Sequence, residues 1–88
     1  MAKNFRIRIS QRNNDLYLDL RGDFDGTSAY QLLETLKKYY HGDGKVIINT
    51  KKLRCTVPFG VRVFRSDLHT TRCRRRNIVF IGRSSIYQ

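Results

Sequence analysis

The chain is predicted to be a single α/β domain spanning residues 1–88, a small mixed sheet with helices packed on it and elements in the order β-β-α-β-α-β. Three observations predict it. Apolar and polar residues alternate near the N-terminus, the apolar period lengthens to that of a helix in two later stretches, and each of those stretches is followed by a short run rich in β-branched residues. A chain of this length buries only about 60–65% of its unfolded surface, so the core must be simple and can be shared with a partner.

The first strand is read from Phe5, Ile7 and Ile9, which alternate with Arg6, Arg8 and Ser10; its other face is therefore solvated and basic. Leu16, Leu18 and Leu20 repeat the period. Between them Gln11-Arg12-Asn13-Asn14-Asp15 is rich in turn formers, which predicts an antiparallel hairpin with a five-residue loop, and Gly22 is expected to stop the second strand. From Thr27 the period changes: Ala29, Tyr30, Leu33, Leu36, Lys37 and Tyr40 mark one helical face, with Thr27 or Ser28 as its cap. His41-Gly42-Asp43-Gly44 ends this helix. The run Lys45-Val46-Ile47-Ile48-Asn49 then reads as a parallel strand covered by helices, which makes the first helix a crossover.

Past Lys51-Lys52-Leu53, the segment Arg54-Cys55-Thr56-Val57-Pro58-Phe59-Gly60 is expected to be a loop where a strand hands over to a helix, the kind of junction at which α/β domains place their sites. Thr56 is the expected N-cap, and Pro58 falls in the first turn, where its missing amide costs little. Val61, Phe64 and Leu68 mark the second apolar stripe. That helix is expected to end in the cluster Arg72, Arg74, Arg75 and Arg76, where cations suit a helix C-terminus, before Asn77-Ile78-Val79-Phe80-Ile81-Gly82 forms the last strand. Arg83 to Gln88 reads as a tail too short for another helix.

Lys and Arg outnumber Asp and Glu by 18 to 7, a formal charge of +11 that attracts phosphates, anionic lipid or acidic protein surfaces. The charge is uneven, because four of the seven acids lie between Asp15 and Asp25 while the arginines cluster around Cys73. Neither Cys55 and Cys73 nor His41 and His69 have the spacing of a zinc site, and no metal or other cofactor is expected. With no signal-like apolar region at the N-terminus and no membrane-length apolar run, neither secretion nor membrane insertion is expected, which suits reduced cysteines in a cytoplasm.

No nucleophile, base and orienting group can be assembled, so no catalytic residue is assigned and the chain reads as a binding module. Asp23 and Asp25 look like a carboxylate pair but fit better as a helix cap and as an offset to nearby arginines. Cys73 sits among arginines that would lower its thiol pKa and could make it reactive, yet lacks an adjacent base, which favours an inert or helix-packing thiol. Lys51, Lys52, Arg72, Arg74, Arg75 and Arg76 are candidate anion or nucleic-acid contacts, since clustered cations capture a phosphate backbone. Base stacking would also need exposed aromatics among them, for which Tyr17, Tyr39 and Tyr40 are the candidates, and no RRM or KH signature is present. A basic face that meets an acidic protein is the simpler account, with a nucleic-acid-binding domain or a structural subunit of a larger complex as the alternatives.

Leu20-Arg21-Gly22-Asp23-Phe24-Asp25-Gly26-Thr27-Ser28-Ala29 resembles the "L-x-G-x-(L/F)-D-x-x-x-A" start of STAS domains, the fold shared by bacterial anti-sigma factor antagonists and the cytoplasmic tails of sulphate transporters. Val46 to Thr50 stands where that family has an apolar strand ending in Asp, Leu53 to Val61 where it has the D-S-S-G-L loop, and Ile78 to Gly82 where it has its following strand. The resemblance implies a role in signalling by protein–protein contact through the Thr56-to-Arg65 region, with Arg54, Thr56, Val57, Pro58, Phe59, Arg62 and Arg65 as the partner-binding set. The implied partners are an anti-sigma factor kinase-like protein, another STAS-type subunit or a larger signalling assembly. In the antagonists the serine before the loop glycine is phosphorylated by the partner kinase, with a preceding Asp shaping the site; here Val57-Pro58-Phe59-Gly60 offers neither hydroxyl nor carboxylate. Recognition without that switch is the expectation. Phe59 is then either core beneath the helix or an aromatic anchor, and Thr56 either a cap or an alternative phosphoacceptor. The family usually continues with a further helix, so this C-terminally short version is expected to leave apolar sheet surface open to self-association or to a covering partner.

Overall fold

A computed structural model describes residues 4–82, so the tail read at Arg83 to Gln88 lies outside the described residues. Strands β1 (Arg6–Arg12) and β2 (Asp15–Phe24) form the antiparallel hairpin, paired from Arg6 opposite Arg21 to Arg12 opposite Asp15. The connection is a two-residue turn, Asn13-Asn14, and not the expected five-residue loop, because Gln11, Arg12 and Asp15 join the ladder. Asn13 takes a φ of 55°, which asparagine tolerates better than most residues.

Gly22 does not stop β2. The strand continues to Phe24, with Gly22 at a φ of +90° beside a register shift, and a Cβ there would collide with the backbone carbonyl of Asn4. The expected boundary marks a bend in a longer strand. Helix α1 (Gly26–Tyr39) follows, then β3 (Val46–Thr56), helix α2 (Pro58–Asp67) and β4 (Ile78–Ile81), with 3₁₀ turns at Leu68–Thr70 and Arg75–Asn77. The sheet order is β1-β2-β3-β4, and β3 runs parallel to both of its neighbours. The order of elements and the mixed sheet are those expected from the sequence.

Both crossovers step to the adjacent strand in the same direction, so right-handed connections put α1 and α2 on one face of the sheet, where they pack on each other. Between sheet and helices lie Leu16, Leu18, Leu20, Phe24, Val46 and Ile48 from the strands, Ala29, Leu32, Leu33 and Leu36 from α1, and Val63, Phe64 and Leu68 from the α2 side. Phe5 closes one end, its ring 6.0 Å from that of Phe24 in an edge-on arrangement. The face of α1 is rotated from the expected stripe: Leu32 is buried, whereas Tyr30 and Lys37 face solvent. Tyr40 is buried as expected, and its hydroxyl donates to the carbonyl of Gly44 (2.9 Å) and accepts from Nδ2 of Asn77 (2.8 Å).

β3 is covered on one face only, which corrects the expectation drawn from its continuous β-branched run. Val46, Ile48 and Thr50 point into the core, while Ile47 is half-buried on the open face in a row with Tyr17 and Val79, and Ile81 is exposed nearby. Arg8 lies on this open face, and Arg12 lies over the Tyr17 ring at 5.9 Å.

Candidate functional site

The hand-over from β3 to α2 is tighter than a loop. Arg54, Cys55 and Thr56 remain in the strand, because β3 stays paired to β2 as far as Thr56 opposite Phe24, and Val57 is the lone residue between strand and helix. The backbone amide of Val57 donates to the carbonyl of Phe24 (2.8 Å), which ties the start of α2 to the end of β2. The N-cap is therefore Val57 and not Thr56, and valine offers no acceptor to the first amides of the helix. Pro58 occupies the first turn as expected.

Gly60 is buried and lies hard against the start of α1, where a Cβ would come within 2.6 Å of the Asp25 backbone. Asp25, not Thr27 or Ser28, caps α1: its Oδ1 accepts from the Ser28 amide (2.9 Å) and the Ser28 hydroxyl (3.1 Å). The hydroxyl of buried Ser28 also lies 2.6 Å from the Asp23 carbonyl. The amide hydrogen bond from Ser28 holds the Asp25 carboxyl below its ordinary pKa. Asp25→Ala is expected to lower stability by about 1 kcal/mol. Because the folded pKa is the depressed one, the difference from wild type should be full above about pH 4, the unfolded carboxylate value, and shrink as pH falls through the folded value. Urea titrations of both proteins across acid pH measure this; a gap that widens on acidification would contradict it.

Asp23 plays the other part read from the sequence, accepting a bidentate pair from Arg54, with Nε 3.0 Å from Oδ1 and the second contact at 2.7 Å from Oδ2. Arg54 is thus engaged across the ends of the two central strands, and the Asp23 carboxylate raises its pKa further above its ordinary value.

Phe59 projects from the first turn of α2 with 59% of its surface exposed, and its ring rests against Gly26, where a Cβ would lie 2.7 Å from Cε2. It is not core. Beside it is an open concavity of about 770 Å³, lined by apolar Pro58 and Val61, the hydroxyl-bearing Thr56 and Ser66, and three arginines, Arg62, Arg65 and Arg75. The fold brings Arg75 to the α2 surface although the sequence separates it from Arg62 and Arg65. Lys51 and Lys52 are exposed on β3 and do not line this concavity; Arg72, Arg74 and Arg76 are exposed beyond α2 and do not line it either. The joint concavity was not legible in sequence, since it depends on α2 ending at Asp67 and on the chain turning back through two 3₁₀ turns instead of carrying the helix into the arginine cluster.

Tyr17, Tyr39 and Tyr40, the aromatics considered for base stacking, lie elsewhere: Tyr17 on the open sheet face, Tyr39 half-buried and Tyr40 in the core. Among the described residues no group of three or more His, Cys, Asp and Glu side chains is placed to hold a metal ion, and no helix is long and apolar enough to cross a membrane.

Cys73 is buried, and burial pushes its thiol up to about 11, opposite to the lowering expected from its arginine neighbours. The guanidinium groups of Arg72 and Arg74 face solvent, so desolvation of the sulfur dominates. Iodoacetamide at pH 8 should therefore label the exposed Cys55 in the native protein and leave Cys73 unmodified until denaturant is added. Equal native labelling of both, read by peptide mass spectrometry, would refute this burial.

No protein-family model and no curated protein matches the chain by sequence. Solved structures do match. A structure of Mglu superposes on 89% of the chain with a TM-score of 0.66 at 14% identity, and the chain spans 19% of that protein. The anti-sigma factor antagonist SpoIIAA in its unphosphorylated form superposes on 91% of the chain and 76% of its own length, with a TM-score of 0.60 at 13% identity. The chain has a STAS-like fold.

Proposed function

We propose that the chain is a non-catalytic protein–protein interaction module of the anti-sigma factor antagonist type, docking through the junction of β3 and α2 without a phosphorylation switch. The observation that carries this reading is Phe59: an aromatic side chain exposed on the first turn of a helix, at the position where the resemblance has the phosphoacceptor serine. A large apolar ring left mostly in solvent, with its edge against Gly26, is the kind of anchor that dominates interface energetics. The likeness to SpoIIAA supports the choice of partner, an anti-sigma factor or a STAS-type subunit. Val57 at the N-cap and Phe59 before Gly60 leave the junction without the serine and the acid of the switch, and Thr56 is held in the ladder.

The open sheet face is a separate surface that suits another subunit better than a second copy. Arg8 and Arg12 at its edge oppose the approach of two like-charged faces.

Wild-type protein used as bait in a lysate of the native host should retain an anti-sigma-factor-like or STAS-type protein, and Phe59→Asp should lose it while keeping the wild-type circular dichroism spectrum. Equal retention by the two baits would overturn the assignment of this junction as the interface.

A further inference from the structure

The concavity beside Phe59 differs in chemistry from the rest of the junction. Three arginines from two separate segments converge on it, and none of its lining residues is acidic. Arg62 and Arg65 are exposed and make no ion pair among the described residues, whereas Arg54 on the same side of the sequence motif is bound to Asp23. Arg62 and Arg65 therefore present charge to whatever docks, and the amino end of α2, which lacks a side-chain acceptor, adds positive potential near Pro58. The remaining lining is apolar, from Pro58 and Val61, and the exposed ring of Phe59 stands on the same first turn.

From this juxtaposition we propose that the concavity formed by Arg62, Arg65, Arg75, Pro58 and Val61 takes an acidic amphipathic segment of the protein partner, its carboxylates on Arg62 and Arg65 and its apolar residues on Pro58, Val61 and Phe59. This rests on the interaction reading given above and specifies the chemistry of the partner. Guanidinium groups recognise carboxylates through paired hydrogen bonds, and complementary charge sets partner choice and association rate more than raw affinity. A single-stranded nucleic acid fits less well, because the cations surround a bounded depression instead of following a track, and Phe59 is a lone exposed ring where a strand would need a series of stacking platforms.

Two probes test it on the intact protein: a fluorescent peptide with Glu and Leu at amphipathic helical spacing, and a single-stranded oligonucleotide of equal negative charge. The peptide should bind, more tightly than the oligonucleotide, and the pair Arg62→Glu with Arg65→Glu should weaken it by about tenfold or more without altering the circular dichroism spectrum. Replacing the peptide's leucines by serine should also weaken it, which a purely ionic contact would not require. Peptide affinity unchanged in the doubly substituted protein, or tighter oligonucleotide binding lost in that same protein, would overturn the proposal. The lysate experiment separates the two levels: a partner lost with Phe59→Asp but kept with Arg62→Glu and Arg65→Glu leaves the interaction reading standing and removes the acidic segment. A partner kept with Phe59→Asp removes the reading itself.

Discussion

Phe64→Ala should lower the stability of the domain by about 3–5 kcal/mol, the usual cost of removing a buried phenylalanine. Phe64 is fully buried on the inner face of α2, among the side chains that join both helices to the sheet. A domain of this size has a total stability of about 5–15 kcal/mol. The substitution therefore removes a large share of it, and the melting temperature should fall by about 4–8 °C for each kcal/mol lost. Phe59 is the internal control. It lies on the same helix with 59% of its surface in solvent, so Phe59→Ala should change stability by no more than about 0.5 kcal/mol. Thermal and urea unfolding followed by circular dichroism measure both. Similar losses for the two phenylalanines would mean that Phe59 is packed into the core, and its assignment as an interface residue would fail with it.

That contrast marks the limit of what the sequence discloses. The strands and helices were legible because the apolar periods of 2 and 3.6 residues survive in the chain: Leu16, Leu18 and Leu20 are all buried, as are Ala29, Leu33 and Leu36. Boundaries were less legible, for reasons that are tertiary. Gly22 reads as a strand end, but the strand goes on because β3 pairs with it beyond the bulge; Thr56 reads as a cap, but the same pairing holds it in the ladder. Phe59 could not be resolved between core and surface from its spacing, since both readings place it in the first turn of a helix. Thr56, Pro58, Arg62 and Arg65 were legible as a binding set, but the part of Arg75 in the concavity was hidden, because it reaches Arg62 and Arg65 only after the chain reverses direction beyond Asp67. The residues carrying the resemblance were legible as a motif, and the structure supplies a physical reason for each. Leu20, Phe24 and Ala29 fill the core, Gly22 passes under the Asn4 carbonyl, and Asp25 caps α1.

Another residue of the resemblance, Gly60, carries the second large expected effect. By helix propensity alone Gly60→Ala should stabilise α2, since alanine is favoured over glycine by about 1 kcal/mol within a helix. The packing reverses the sign. A methyl group at this position would lie 2.6 Å from the carbonyl carbon and oxygen of Asp25 and 2.9 Å from its Cα, and backbone atoms cannot turn aside as a side chain can. Relief requires α2 to move away from the start of α1, where the Asp25 carbonyl accepts from the Ala29 amide (2.9 Å) and its carboxylate caps the helix. We expect a net loss of about 2–3 kcal/mol, toward the upper end for overpacking. Gly26→Ala meets a different neighbour, the rim of the Phe59 ring at 2.7 Å, which can swing into solvent. That substitution should leave stability within about 1 kcal/mol of wild type while displacing the aromatic anchor, and so weaken partner retention without unfolding. If urea unfolding shows Gly60→Ala to be as stable as wild type, α1 and α2 do not meet through these backbones. The rigid seat on which the Phe59 interface depends would then be absent.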